Sequence, residues 1–123
     1  MQETIFVIDD NNMSLMLAKE ALKEQYRVIT MQSAKIMFDV IEKRTPDLIL
    51  LDILMPEIDG FEAAQRLRNN SAFANIPIIF LTSTIDDSIK ERSSQLGAID
   101  LILKPFSKPD LIEKINKHFN TSV

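Results

Sequence analysis

A chain of 123 residues suits one domain, expected to span 1–123, and a domain of that size buries roughly two-thirds of the surface its unfolded form exposes. Its 46% hydrophobic and 26% charged residues exclude a disordered chain, and the lack of Cys excludes disulfides, thiolate nucleophiles and thiolate metal sites. A formal net charge of −4 argues against direct nucleic-acid binding, and the apolar stretch that stops at Asp9 is too short for a signal peptide or membrane span, so the cytoplasm is the expected setting.

Short apolar runs alternate with longer amphipathic segments. Ile5 to Ile8 predicts a strand ending at the pair Asp9-Asp10, and Met13 to Gln25 predicts the helix after it. Tyr26 to Thr30 predicts a second strand, followed by a helix over Ala34 to Arg44. Leu48 to Leu51 is a continuous apolar run, as burial on both sheet faces requires, and ends at Asp52. Asp59, with Glu62 three residues on, marks the start of a helix over Phe61 to Asn69. Ile78 to Leu81 predicts a fourth strand ending at Thr82, and the helix after it, Ser88 to Leu96, stops at Gly97 in a left-handed conformation. Ile99 to Leu103 predicts the fifth strand, ending at Lys104. The last helix, Pro109 to Phe119, has an N-cap at Ser107, an early proline, a first-turn acid at Asp110 and an apolar stripe of Leu111, Ile112, Ile115 and Phe119. Met13, Met16 and Met37 sit at helical spacing and read as core filler, while His118 reads as a helix C-terminal residue with no chemistry assigned.

Parallel strands joined by right-handed helical crossovers give an α/β, doubly wound open sheet, which binds ligands outside the carboxyl ends of its strands. The polar residues closing the runs therefore belong together: Asp9, Asp10, Asp52, Thr82 and Lys104. Nothing comparable follows the second strand, as expected of a strand at the sheet edge.

Three carboxylates at one rim repel each other unless a cation intervenes. Oxygen ligands without imidazole or thiolate suit a hard ion, with Mg²⁺ the first choice because it takes one or two carboxylates, waters and a phosphate oxygen. Lys104 supplies a compact positive charge for a phosphoryl oxygen and Thr82 a hydroxyl for another. A carboxylate so placed is a competent nucleophile toward phosphorus, making Asp52 the candidate phosphoacceptor. A phosphatase of the aspartyl-nucleophile class is disfavoured, because Asp52-Ile53-Leu54 lacks a second Asp and there is no room for a cap domain. With Gly60 and Gly97 as the only glycines, no glycine-rich nucleotide loop can be written either.

Four segments in order, Val7-Ile8-Asp9-Asp10-Asn11, Leu50 through Pro56 with Asp59-Gly60, Phe80-Leu81-Thr82-Ser83 and Leu103-Lys104-Pro105-Phe106, resemble the receiver domains of two-component response regulators, the chemotaxis-type stand-alone form among them. The resemblance covers essentially the whole chain and implies a flavodoxin-like three-layer sandwich with strand order 2-1-3-4-5. It implies Asp52 as phosphoacceptor, Asp10 as direct Mg²⁺ ligand, Asp9 as a ligand acting mainly through water, and the backbone carbonyl of Leu54 as a further ligand. Thr82 becomes the switch hydroxyl, Lys104 the phosphoryl-binding ammonium, and the Lys104-Pro105 bond is expected to be cis. Leu54 and Thr84 fall where the family tunes the loss of the phosphoryl group. The implied donors are a histidine kinase or a phosphotransfer protein, and the implied activity is phosphorylation and dephosphorylation of the domain itself rather than turnover. A downstream partner is expected on the face of the fourth helix, fifth strand and fifth helix, including Arg92, Asp100 and Lys108. One departure stands out: Leu101 occupies the strand position where many receivers carry a switching aromatic ring, so the signal is expected to pass through the Thr82 to Ser88 loop and the helix after it. The alternative is a receiver-like interaction module that is not phosphorylated.

Overall fold

The computed structural model describes residues 2–120. Five parallel strands, β1 (Thr4–Ile8), β2 (Arg27–Met31), β3 (Leu48–Asp52), β4 (Ile78–Thr82) and β5 (Asp100–Leu103), form one sheet in the order β2-β1-β3-β4-β5. Between and after them run α1 (Asn12–Leu22), α2 (Ala34–Ile41), α3 (Gly60–Arg68), α4 (Asp87–Gln95) and α5 (Lys108–Asn120). The doubly wound α/β architecture expected from the apolar runs is the one observed.

The central strands read as unbroken apolar runs because both sheet faces are covered. Phe6, Ile8, Ile49, Leu51, Ile78 and Phe80 face the core under α2 and α3. Their alternates Ile5, Val7, Leu48, Leu50, Ile79 and Leu81 face the core under α1 and α5. Helix starts are set by side-chain caps: Asn11, Asp59 and Asp86 accept from the main-chain N–H of Ser14, Glu62 and Ile89. The α3 cap is the one read from Asp59 and Glu62, and Gly97, with φ +74, ends α4 as expected.

Several expectations fail locally: α1 and α2 end at Leu22 and Ile41, short of Gln25 and Arg44, and β5 begins at Asp100 rather than Ile99. Met13 and Met16 are 58% and 55% exposed, so they are not core filler; the buried stripe of α1 is Leu15, Ala18, Ala21 and Leu22, whereas Met37 is buried as expected. Tyr26 does not open β2, which begins one residue later. Its amide closes the turn after α1 on Leu22 O, its ring lies 5.3 Å from that of Phe119, and its hydroxyl donates to Asn116 Oδ1, so it is claimed by α5 across the core. No helix among the described residues is long and apolar enough to cross a membrane.

Candidate functional site

Register places the polar ends of the strands side by side. In the ladders, Asp52 pairs with Leu81 and Thr82 with Leu103, while Asp9 and Lys104 each follow the last residue of their strand. Asp9 is fully buried, Asp52 and Thr82 nearly so, and Asp10 is exposed. One carboxylate oxygen from each of Asp9, Asp10 and Asp52 lies within 4.8 Å of the others. Lys104 Nζ sits 2.9 Å from Asp9 Oδ2 and 3.1 Å from Asp52 Oδ1, bridging the acid that follows β1 and the acid that ends β3. The Lys104-Pro105 peptide is cis, as expected. A cleft of about 250 Å³ opens above these groups, lined by Asp10, Asn11, Asp52, Leu54, Thr82, Ser83 and Lys104.

The electrostatics follow from that placement. Burial raises the Asp52 carboxyl and the adjacent Asp9 charge raises it further; the Lys104 ammonium opposes both, and the balance stands at about 7 against an ordinary 3.8. For Lys104, burial lowers the pKa, but hydrogen bonds and charge from Asp9 and Asp52 outweigh it and the net shift is upward. The ammonium therefore acts as the cation that the cluster requires. A hard divalent ion suits the same donors, because the three side chains offer only carboxylate oxygen and the cleft holds no imidazole or thiolate.

All five polar residues read from the strand ends meet here, with Leu54 at the mouth, 72% exposed. Two contacts go beyond what the motifs specify. Thr82 Oγ1 donates to Thr84 O at 2.8 Å and accepts from Thr84 N at 3.2 Å, so the hydroxyl is engaged by its own loop. Gly60 holds the backbone under the site: its N–H donates to Ile53 O at 2.7 Å, and a Cβ at that position would lie 2.3 Å from Asp52 O and 2.8 Å from Ile53 Cα. Only a residue without a side chain permits that approach. The close Asp59-Gly60 pair in the sequence is the trace it leaves. Nearby, Glu57 holds a left-handed φ of 68, uncommon for a residue with a side chain.

Comparison with known proteins agrees with this arrangement. The sequence model of the response regulator receiver domain matches residues 5–116. A probable cyclic di-GMP phosphodiesterase of Vibrio cholerae is 32% identical over 117 residues, covering 95% of this chain but 26% of that protein. The polar-differentiation response regulator DivK of Brucella ovis is 30% identical over 119 residues, covering 96% of this chain and 97% of DivK. The chemotaxis protein CheY4 of Vibrio cholerae superimposes with a TM-score of 0.90 over 95% of this chain and 98% of its own, and at 24% identity that likeness speaks to the fold alone. The chain thus spans about a quarter of one relative and nearly all of another. With the match running through every strand of the sheet, the chain belongs to the response regulator receiver domains, the phosphoacceptor signalling modules of two-component systems.

Proposed function

We propose that Asp52 is the phosphoacceptor, that Mg²⁺ is held by Asp9, Asp10, Asp52 and the Leu54 carbonyl, and that Thr82 and Lys104 bind the transferred phosphoryl group. The observation that carries this reading is the Lys104 ammonium within 3.1 Å of both Asp9 and Asp52 at the floor of an acidic cleft. Mg²⁺ there would neutralise the carboxylates and bind a phosphoryl oxygen. An Asp52 carboxylate oxygen forms the new bond to phosphorus while the donor's bond to phosphorus breaks, and the bonding pair leaves with the donor. From a phosphohistidine the leaving atom is an imidazole nitrogen, which fits a histidine kinase or phosphotransfer protein as donor. Positioning and charge neutralisation do most of the work, since a loose phosphoryl transition state needs little covalent help.

The ammonium is mobile enough to turn from Asp9 toward the new phosphoryl oxygens. Thr82 has one proton, now given to Thr84 O; giving it to a phosphoryl oxygen releases the loop that leads into α4. The face of α4, β5 and α5 then carries the output to a protein target, with Arg92, Asp100 and Lys108 on it, because Thr82 and Lys104 close the strands that support it. The domain spans 1–123 in this reading, works in the cytoplasm, and modifies itself rather than turning over a substrate. The test is metal dependence: incubation with Mg²⁺ and acetyl phosphate should yield one acid-labile phosphoryl adduct by intact mass, and chelation should abolish it. An adduct that forms equally well in the chelator contradicts the assigned site.

A further inference from the structure

The end of the sheet opposite the acidic cleft carries a second set of polar groups. β1 and β2 open side by side there, with Thr4 the ladder partner of Arg27, and the loop between α2 and β3 runs past them. That loop is fastened to β1 at Thr4, whose carbonyl accepts from Asp47 N and whose N–H donates to Asp47 Oδ2, both at 2.7 Å. The result is one cavity of about 430 Å³ lined by Gln2, Thr4, Arg27, Arg44 and Thr45. Thr4 opens β1 and Asp9 follows its last residue, so the length of a strand, about 16 Å, lies between this cavity and the acidic cleft.

The arginines here differ from the others in the chain. Arg66 pairs with Glu62 at 3.2 Å, Arg68 gives its donors to the carbonyls of Ala74, Ile76, Leu96 and Gly97, and Arg92 lies 4.9 Å from the centre of the Phe61 ring. The side chains of Arg27 and Arg44 have no hydrogen bond, ion pair or ring contact among the described residues. A shortage of acids does not explain this, because Asp and Glu outnumber Lys and Arg by 18 to 14. Asp47 is close by in the chain, yet its Oδ2 is turned to the Thr4 amide and it pairs with neither guanidinium.

Two guanidiniums on one cavity thus keep all their donors, and two threonine hydroxyls and the Gln2 amide stand beside them. A guanidinium fork fits the edge of a phosphate in two parallel hydrogen bonds. Two such cations balance the charge of a phosphate monoester near neutral pH, whereas a single carboxylate balances one. The cavity is also larger than a bare phosphate ion requires, which leaves room for an organic group. We infer that it binds a small phosphate monoester, with Arg27 and Arg44 on the phosphate and Thr4, Thr45 and Gln2 donating to its remaining oxygens. The strand order β2-β1-β3 makes such a ligand a bridge across β1, and it shares no residue with the acidic cleft. Its binding stabilises the fold by mass action, whatever happens at Asp52.

Nuclear magnetic resonance of the full chain, titrated with phenyl phosphate in buffer free of divalent ions, tests the site. Backbone and arginine Nε signals of residues 2–4, 27, 44 and 45 should shift and saturate with a midpoint at or below about 1 mM, while Asp10, Asn11 and Lys104 stay in place. Benzoate, with the same ring and one charge, should bind at least about tenfold more weakly. Arg27→Gln and Arg44→Gln should each weaken phenyl phosphate by about tenfold, and Lys35→Gln, an equal loss of charge at an exposed position of α2, should leave the midpoint unchanged. Both arginines are exposed, so the variants should fold as the unaltered chain does; Arg27→Lys and Arg44→Lys, which keep the charge and lose the fork, give a second reading with a smaller loss. The site is overturned if no signal saturates, if sodium chloride at equal ionic strength reproduces the shifts, if the shifts fall at the acidic cleft, or if both Gln variants keep the original midpoint. Benzoate binding as tightly as phenyl phosphate overturns the phosphate assignment.

Discussion

Helices α3 and α4 have the same length, nine residues, and the same kind of start, an aspartate cap, yet they are built for opposite ends. α3 buries Gly60, Phe61, Ala63, Ala64 and Leu67, with Phe61 packed edge-on against Phe80 of the sheet at 5.1 Å. α4 buries only Ser93. The first presses its N-terminus against the backbone of Asp52, the proposed phosphoacceptor; the second follows a loop tied to Thr82. Arg92 of α4 reaches across to α3, its guanidinium 4.9 Å from the Phe61 ring centre, an exposed contact that can break and re-form. The rim thus has one side packed deeply on the core and the other covered by a helix that buries far less of itself.

The largest effect should come from the group that holds the acidic cluster together. Lys104→Met leaves Asp9 and Asp52 buried without their cation, a loss on the order of 3 to 5 kcal/mol for a broken buried pair. Urea unfolding without divalent ions should show it, and addition of Mg²⁺ should recover part of the loss. Unchanged stability would mean that the Lys104 contacts contribute nothing.

Much of this rim was legible in the chain. Leu48 to Leu51 announced a strand buried on both faces, and the runs of β1, β3 and β4 are each closed by a polar residue, Asp9, Asp52 and Thr82. What stayed hidden was long-range. Arg68 left no signal because its partners are main-chain carbonyls, which leave no residue type behind. Met13 and Met16 have core-like spacing, but α1 presents a different stripe inward, and spacing alone does not say which face meets the sheet. Tyr26 has the composition of a strand residue and is taken by α5, some 90 residues away in the sequence.

A second prediction uses pH. The folded Asp52 carboxyl holds its proton up to about 7, while the unfolded chain releases it near 3.8. Between those values the folded state binds more protons, so rising pH should erode the stability of the metal-free protein at about 1.4 kcal/mol per unit of pKa difference, within that window. Lys104 acts at the other extreme: raised above 10.5, its contribution is intact below that value and is lost only as pH climbs through the folded pKa. Thermal melts in chelator from pH 4 to 8 should show a decline in the unaltered protein that Asp52→Asn removes. Parallel curves for the two would contradict the assignment.

A smaller and sharper test sets the two helices against each other. Gly60→Ala drives a methyl group into Asp52 O, and should cost about 1 to 3 kcal/mol together with Mg²⁺ affinity and phosphorylation rate, since the backbone that moves is the one bearing the proposed phosphoacceptor. Gly97→Ala meets only the Arg68 side chain at 3.6 Å, so its penalty is the left-handed φ, about 1 to 2 kcal/mol, with metal binding untouched. Titration of Mg²⁺ alongside urea melts separates them; equal loss of metal affinity in both would erase the distinction between the deeply and the lightly packed side.

The most direct measurement is to locate the phosphoryl group itself. After reaction with Mg²⁺ and acetyl phosphate, peptide mapping by mass spectrometry should place one acid-labile phosphoryl group on Asp52, and Asp52→Asn, still folded by its melt, should carry none. A phosphoryl group on any other residue, or an undiminished adduct in Asp52→Asn, would contradict the account.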